Sequence, residues 1–264
     1  MISAMRWLLC MGVLIGLSLF GLAQRDRLVA WTQAIFQGEQ EEGLLVEGKL
    51  QRMPDPVRYA ELRAEVEAWR KGARERYTAA DSAVEREQVV AEAAAFLQGM
   101  LPQMMVCWLG TPWDFNGTAA GPGEKPVACG YFVSTVLRDA GFAVNRYHLA
   151  QQPSQNILRT FVPRDKWSLK VGVPYASYAA ELQNMDEGVR IVGLDTHVGF
   201  LVTDADGFRF IHSSGAKPWC VVDESVDEAK VLAASNYRVQ GDLLDDRETL
   251  RKWLVGESFA VAGH

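Results

Sequence analysis

Apolar positions along the chain change their spacing once, near residue 189, and that change divides the sequence into a helical part and a strand part. Asp55-Pro56 reads as a cap followed by proline at the first helical position, and Val57, Ala60, Leu62, Val66 and Trp69 then form a partial helical stripe that runs on to Tyr77. Asp81-Ser82 caps a second helix through Val84, Val89, Val90, Ala93, Ala94, Phe96 and Leu97 to about Met100, where Pro102 is expected to kink or restart it. These two stripes predict a helical hairpin with a structural or partner-binding role, its protein partner unknown. The apolar run 103–109 continues as helix, and Gly110 to Gly117 break into a loop. Residues 145–163 are polar with weak helical character around Ile157 and Leu158, and 167–178 alternates poorly. Strands are predicted at 189–194, 196–203 and 208–213, with shorter ones at 220–222 and 237–239, before a closing helix over 243–254 that turns Trp253 inward. Helices first and a mainly antiparallel sheet afterwards make an α+β layout.

Between the two parts lies Val127-Ala128-Cys129-Gly130-Tyr131-Phe132-Val133, the start of a helix that Gly141 ends. Phe132, Val133, Val136, Leu137 and Ala140 recur at helical spacing, and the preceding Gly121-Pro122-Gly123-Glu124-Lys125-Pro126 cannot be helical. Cys129 is therefore delivered by a loop onto a helix N-terminus, where unpaired N–H groups favour thiolate and can hold an oxyanion. The alternative is a buried, inert cysteine, the common fate of a free thiol.

Two of the four histidines, His197 and His212, lie on the two arms of the hairpin turned by Asp204-Ala205-Asp206-Gly207. Whether Thr203 faces Phe208 or the loop is Asp206-Gly207 alone, paired positions sum to an odd number, and the two imidazoles share one face. A three-residue loop would separate them. On one face, His197 can act as base on the thiol while His212 fixes its ring. A metal site of His197, His212 and one cysteine is the competing reading, but no further ligand spacing accompanies it. No metal and no cofactor is expected. His148 and His264 have no role assigned.

Composition bounds the rest. The chain has 264 residues, 48% hydrophobic and 23% charged, enough for one globular domain with additions. With a net charge of −6 and no run of cations interleaved with aromatics, a nucleic-acid partner is not expected. Residues 1–23 carry Arg6, an apolar run from Trp7 to Phe20 and small residues at Gly21 and Ala23, the pattern of an export signal. It is either cleaved before Gln24 or kept as a short membrane anchor through residues 7–23, so the protein is expected in the periplasm, the cell envelope or outside the cell. Residues 24–54 read as a tether carrying the acidic run Glu39-Gln40-Glu41-Glu42. Three cysteines follow the signal, so if Cys129 is reactive, Cys107 and Cys220 either pair or stay reduced. The expected divisions are 1–23 signal or anchor, 24–100 arm and helical hairpin, and 101–264 catalytic domain.

Taken in order, Leu109-Gly110-Thr111-Pro112-Trp113, Ala128-Cys129-Gly130-Tyr131-Phe132-Val133, Thr196-His197-Val198-Gly199-Phe200-Leu201 and Phe210-Ile211-His212-Ser213-Ser214 resemble the successive blocks of an NlpC/P60-family, papain-like cysteine peptidase. The resemblance covers about 105 residues, with a large spacer between Gly141 and Val189. It implies a papain-like fold in which the nucleophile helix packs on the sheet, with Cys129 as nucleophile, His197 as base and His212 as orienter. It also implies hydrolysis of a peptide bond in bacterial cell-wall stem peptides, with a peptide or peptidoglycan fragment as substrate. Two features depart from the family. Ala128-Cys129-Gly130 stands where Asp-Cys-Ser is usual, and Trp113-Asp114-Phe115-Asn116 stands where a tyrosine loop is usual. Trp113, Asp114 and Asn116 are thus the expected substrate-binding residues, with Asp114 or Asn116 taking over the polar work. An amidase or acyltransferase on another substrate, and a non-catalytic envelope binding module, are the rival readings.

Overall fold

A computed structural model describes residues 53–263 and, ahead of them, the antiparallel strand pair β1 (Leu45–Val46) and β2 (Lys49–Leu50), which belongs to a separate unit. Residues 1–23, expected as an export signal or anchor, and most of residues 24–54, expected as a tether or arm, lie outside the described residues.

Helix α1 (Pro56–Ala79) starts where the Asp55 carboxylate accepts from the Arg58 N–H at 2.8 Å, with proline in its first turn. Helix α2 (Ala83–Val106) starts in a full capping box between Ser82 and Glu85. It continues unbroken past Pro102, and Leu101, Met104 and Met105, wholly buried, hold its last turns in the core. The boundary expected after residue 100 therefore falls inside one helix, and residues 53–264 form a single compact unit. The hairpin is part of the same core as the sheet rather than an appendage to it. Trp69 of α1 stacks on Phe96 of α2 at 4.3 Å, and Leu62, Val66, Ala93 and Leu97 share one core with the nucleophile helix and the sheet. By length and composition α2 is apolar enough to cross a membrane, yet 44% of its most apolar window is buried in this core.

Helix α3 (Cys129–Asp139) carries the nucleophile candidate, and short helices α4 (Arg146–Ala150) and α5 (Ser154–Arg159) follow. Strand β3 (Trp167–Val171) and helix α6 (Tyr175–Gln183) begin in the stretch 167–178 that alternates poorly as a whole; Gly172, at φ +70°, and Pro174 separate them. The remaining elements are β4 (Gly188–Leu194), β5 (Val198–Asp204), β6 (Gly207–Ser213), β7 (Val221–Glu224), α7 (Lys230–Ala234), β8 (Tyr237–Asp242) and α8 (Arg247–Val255). The six strands pair in the order β3-β8-β4-β5-β6-β7, antiparallel throughout, so the α+β class expected from the sequence is the class observed.

Helices cover both faces of this sheet. On one side Phe132, Val133 and Val136 of α3 meet Ile191, Val198, Phe200 and Ile211, and on the other Tyr178, Ala179 and Leu182 of α6 meet Val192, Leu201, Phe208 and Phe210. Every residue of β4 is buried. Burial on both faces erases the alternation that a one-sided strand would show.

Four contacts anchor α3 in the core. Phe132 packs edge-on against Phe200 at 5.9 Å and against Trp108 at 5.8 Å. At its far end the buried Tyr59 hydroxyl donates to Asp139 at 3.1 Å, and Trp253 Nε1 donates to the Ala140 carbonyl at 2.7 Å. The nucleophile helix is thereby fixed along its length by α1, α8 and the sheet.

Candidate active site

Cys129 is the first residue of α3 and is only partly buried, as the loop-to-helix reading requires. The chain reaching it is tied on both sides. Val127 N–H donates to Pro112 O at 2.9 Å, Ala128 N–H donates to Gly117 O at 2.9 Å, and Ser213 Oγ donates to Val127 O at 2.7 Å. The last bond joins the cysteine loop to the residue after His212. Gly130 is explained by packing: a Cβ there would lie 2.3 Å from the carbonyl oxygen of Ala150 in α4. Any larger side chain has no room here.

Burial pushes the Cys129 thiol up from its ordinary value, while the N–H groups of Val198, Gly130 and Cys129 itself pull the other way. The expectation that the helix terminus alone yields a ready thiolate is thus reversed: loss of solvent outweighs the backbone donors. Deprotonation at this position calls for a base. The Val198 N–H beside the sulfur also marks where the helix N-terminus meets the sheet, at the residue following His197.

The hairpin adopts the register with Thr203 opposite Phe208 and Asp204 opposite Gly207, so Ala205 and Asp206 form the tip. Continuing that register places His212 opposite Gly199, and His197, two residues earlier, on the same face. His197 Nε2 lies 2.7 Å from His212 Nδ1, with the rings nearly perpendicular at 4.8 Å. Gly199 leaves the space for this pair, since a Cβ there would sit 2.8 Å from the His212 Cβ and 2.7 Å from a ring carbon of Phe210. Phe210 stacks on His212 at 4.0 Å, and His212 has no exposed surface. Burial lowers both imidazoles to about 3, aided at His197 by its neighbour, so both rings rest neutral.

One member of the site is not among the residues expected from the sequence. His212 Nε2 lies 3.1 Å from Glu224 Oε2, on the strand next to β6. The strand expected to end at Val222 continues to Glu224, and Phe210 pairs with Glu224 while His212 pairs with Val222. Extending that short strand by two residues puts Glu224 on the histidine face. Burial raises its carboxyl to about 7 against the pull of Lys230.

The three expected substrate-binding residues lie in a loop tied to the segment that leads to Cys129, without joining the chain of ring contacts. Trp113 is half-buried, stacked over Gly215 and 5.5 Å from the Trp219 ring. Asp114 is exposed and turns back to accept from the Asn116 N–H at 2.7 Å, and Asn116 is exposed as well. The position beyond His212 is taken by Glu224. Cys107, Cys129 and Cys220 are all free thiols. The pairing considered for Cys107 and Cys220 is not made: Cys107 closes α2 in the field of Asp55 and Arg58, whereas Cys220 lies beside the Gly110 N–H. Among the described residues no group of three or more His, Cys, Asp or Glu side chains is gathered as metal ligands would be.

Comparison of the chain with protein-family models, curated proteins and solved structures finds no match.

Proposed function

We propose that this chain is an exported thiol hydrolase of the papain-like, NlpC/P60 kind that cleaves an amide bond, with a peptidoglycan stem peptide as its substrate. The observation that carries the reading is the 2.7 Å contact between His212 Nδ1 and Nε2 of His197, next in the chain to Val198, whose N–H reaches the thiol of Cys129 at a helix N-terminus. That contact occupies one nitrogen of His197 and leaves Nδ1 for the thiol.

In this mechanism Nδ1 of His197 takes the Cys129 proton as Sγ attacks the amide carbonyl carbon. The carbonyl oxygen becomes an oxyanion facing the N–H groups at the start of α3, where backbone donors are worth most because no reorganisation is needed. The imidazolium then gives its proton to the departing amine, leaving an acyl thioester. Water, deprotonated by the same nitrogen, releases the acid and the thiol. His212, stacked on Phe210 and fully buried, keeps the base from turning away between these steps.

Incubating the chain from Gln24 onward with peptidoglycan fragments and weighing the products tests the reading. New fragments differing from the substrate by one water across an amide, and lost with Cys129→Ala, are the expected result. Intact substrate together with a Cys129 no more reactive towards a thiol-directed reagent than the other two cysteines would refute it.

A further inference from the structure

The site contains one group more than a nucleophile, a base and an orienter require. We propose that Glu224 is its outermost positioning residue: the carboxylate, accepting from Nε2–H of His212, holds both histidines in the tautomer that leaves Nδ1 of His197 open to the thiol proton. The role assigned to Nδ1 rests on the thiol-hydrolase reading; the tautomer itself does not.

The argument is a count of hydrogens. Each contact in the chain His197 Nε2···His212 Nδ1 and His212 Nε2···Glu224 Oε2 needs one hydrogen and one lone pair. An ionised carboxylate only accepts, so the His212 hydrogen must be on Nε2. A neutral His212 then has a lone pair on Nδ1 and accepts from His197, whose hydrogen must be on Nε2. The lone pair of His197 is left on Nδ1. A protonated Glu224 can instead donate its O–H to His212, and both contacts then reverse: each ring keeps one hydrogen, moved to Nδ1, and the carboxyl has gained one. His197 would then present a hydrogen to the thiol where a lone pair is needed. One carboxyl, two rings away from the sulfur, thus decides whether the base is able to act.

The surroundings make that decision sensitive to pH near neutrality. His212 on β6, Lys230 on α7 and Tyr175 on α6 are the titratable groups facing Glu224. Tyr175 donates its hydroxyl to the Val226 carbonyl at 2.6 Å, and Asp223, the neighbour on β7, is taken by Arg209. The charge of Lys230 favours the ionised form, and burial opposes it strongly enough to raise the carboxyl to about 7.

Nitrogen-15 NMR of the histidines in the full chain bearing Cys129→Ala reads the tautomers directly and needs no substrate. At about pH 8.5, above the Glu224 titration, both rings should carry their hydrogen on Nε2, and in Glu224→Leu the His197 hydrogen should move to Nδ1. If the leucine variant does not fold, Glu224→Gln serves, because an amide both donates and accepts and should split the His197 signal between the two tautomers. A single Nε2–H signal for His197 in the variant, unchanged from the parent, would overturn the proposal. With Cys129 present, Glu224→Leu should slow alkylation of that thiol at least about tenfold. A variant that shifts the tautomer in a chain that cleaves no amide sinks the hydrolase reading and leaves Glu224 in its role. A chain that cleaves, with an unshifted variant, does the reverse.

Discussion

His197 Nε2 lies 2.7 Å from His212 Nδ1 while the other nitrogen of His212 faces Glu224 at 3.1 Å, so the ring proposed to orient His197 is itself held. The two histidines should therefore fail differently when replaced. His197→Ala removes both the proton acceptor and the later proton donor, and activity should fall by several powers of ten, the scale on which triad members act. His212→Asn, which keeps a hydrogen-bonding group towards the ring, should lose much less than His212→Ala. Turnover of a peptidoglycan fragment by the three variants checks the order. Equal losses for the two His212 variants would mean that His212 acts by filling space.

Gly199→Ala tests the register from the other side. The added methyl meets the His212 Cβ, the Phe210 ring and the Ile211 carbonyl within about 3 Å, and forcing a group into a packed site costs about 1–3 kcal/mol. The variant should fold with a lowered Tm and lose most of its activity, because the atoms that must yield are those of the orienting ring. Full activity with unchanged Tm would remove the His212 arm from the site.

Cysteine labelling separates the nucleophile from its two companions. Cys107 and Cys220 are each 5% exposed, and burial raises both thiols. In the chain from Gln24 onward, iodoacetamide should modify Cys129 alone before unfolding and all three afterwards. Because its thiol is raised rather than lowered at rest, labelling of Cys129 should depend on His197 and slow markedly in His197→Ala. Peptide mapping after brief exposure checks both statements.

Much of the site is legible in the sequence, and where the sequence misleads the reasons are local. Cys129, His197 and His212 are legible because a glycine- and proline-rich loop, a helix stop and a hairpin turn fix their positions with short-range rules. Strand β3 is a perfect alternation, Trp167-Ser168-Leu169-Lys170-Val171, but it lasts five residues before Gly172 and Pro174 turn the chain into α6. Over a twelve-residue window the two elements cancel. Glu224 is not legible because Asp223-Glu224 looks like the polar end of a strand, whereas pairing to Phe210 keeps it extended and the fold partly buries it. Pro102 suggests a boundary because proline removes a helical N–H, and the apolar face of α2, buried against the sheet side of the core, outweighs that loss.

The helical hairpin should be inseparable from the site. Tyr59 of α1 donates to the buried Asp139 at the end of the nucleophile helix, and Arg70 donates to the Gly141 carbonyl at 2.6 Å. A chain lacking residues 1–100 is expected to show no cooperative unfolding transition, since it exposes the buried faces of Phe132, Trp108 and Trp253. The milder change Tyr59→Phe should cost about 1 kcal/mol, the net worth of one hydrogen bond, and leave turnover near the parent value. Urea melts of the two proteins decide it.

Acid should unfold this protein through its own active site. His197 and His212 titrate near 6.5 when unfolded and near 3 when folded, so between those values the unfolded chain binds protons that the folded one refuses. Stability held at neutral pH is therefore lost as pH falls below about 6.5, at up to about 1.4 kcal/mol per pH unit for each ring. Glu224 acts in the opposite sense. Its carboxyl is raised from 4.5 to about 7, so the folded chain binds the extra proton in that interval, and its contribution is present below 4.5 and lost as pH rises through 7. Between 6.5 and 4.5 the carboxyl cancels one of the two rings, and below 4.5 both rings act unopposed. The stability curve should accordingly fall gently at first and about twice as steeply below pH 4.5. In Glu224→Gln the steep fall should begin near 6.5, because the cancelling group is gone. Urea melts across this range decide the point: identical curves for parent and variant would show that Glu224 does not titrate differently in the folded chain.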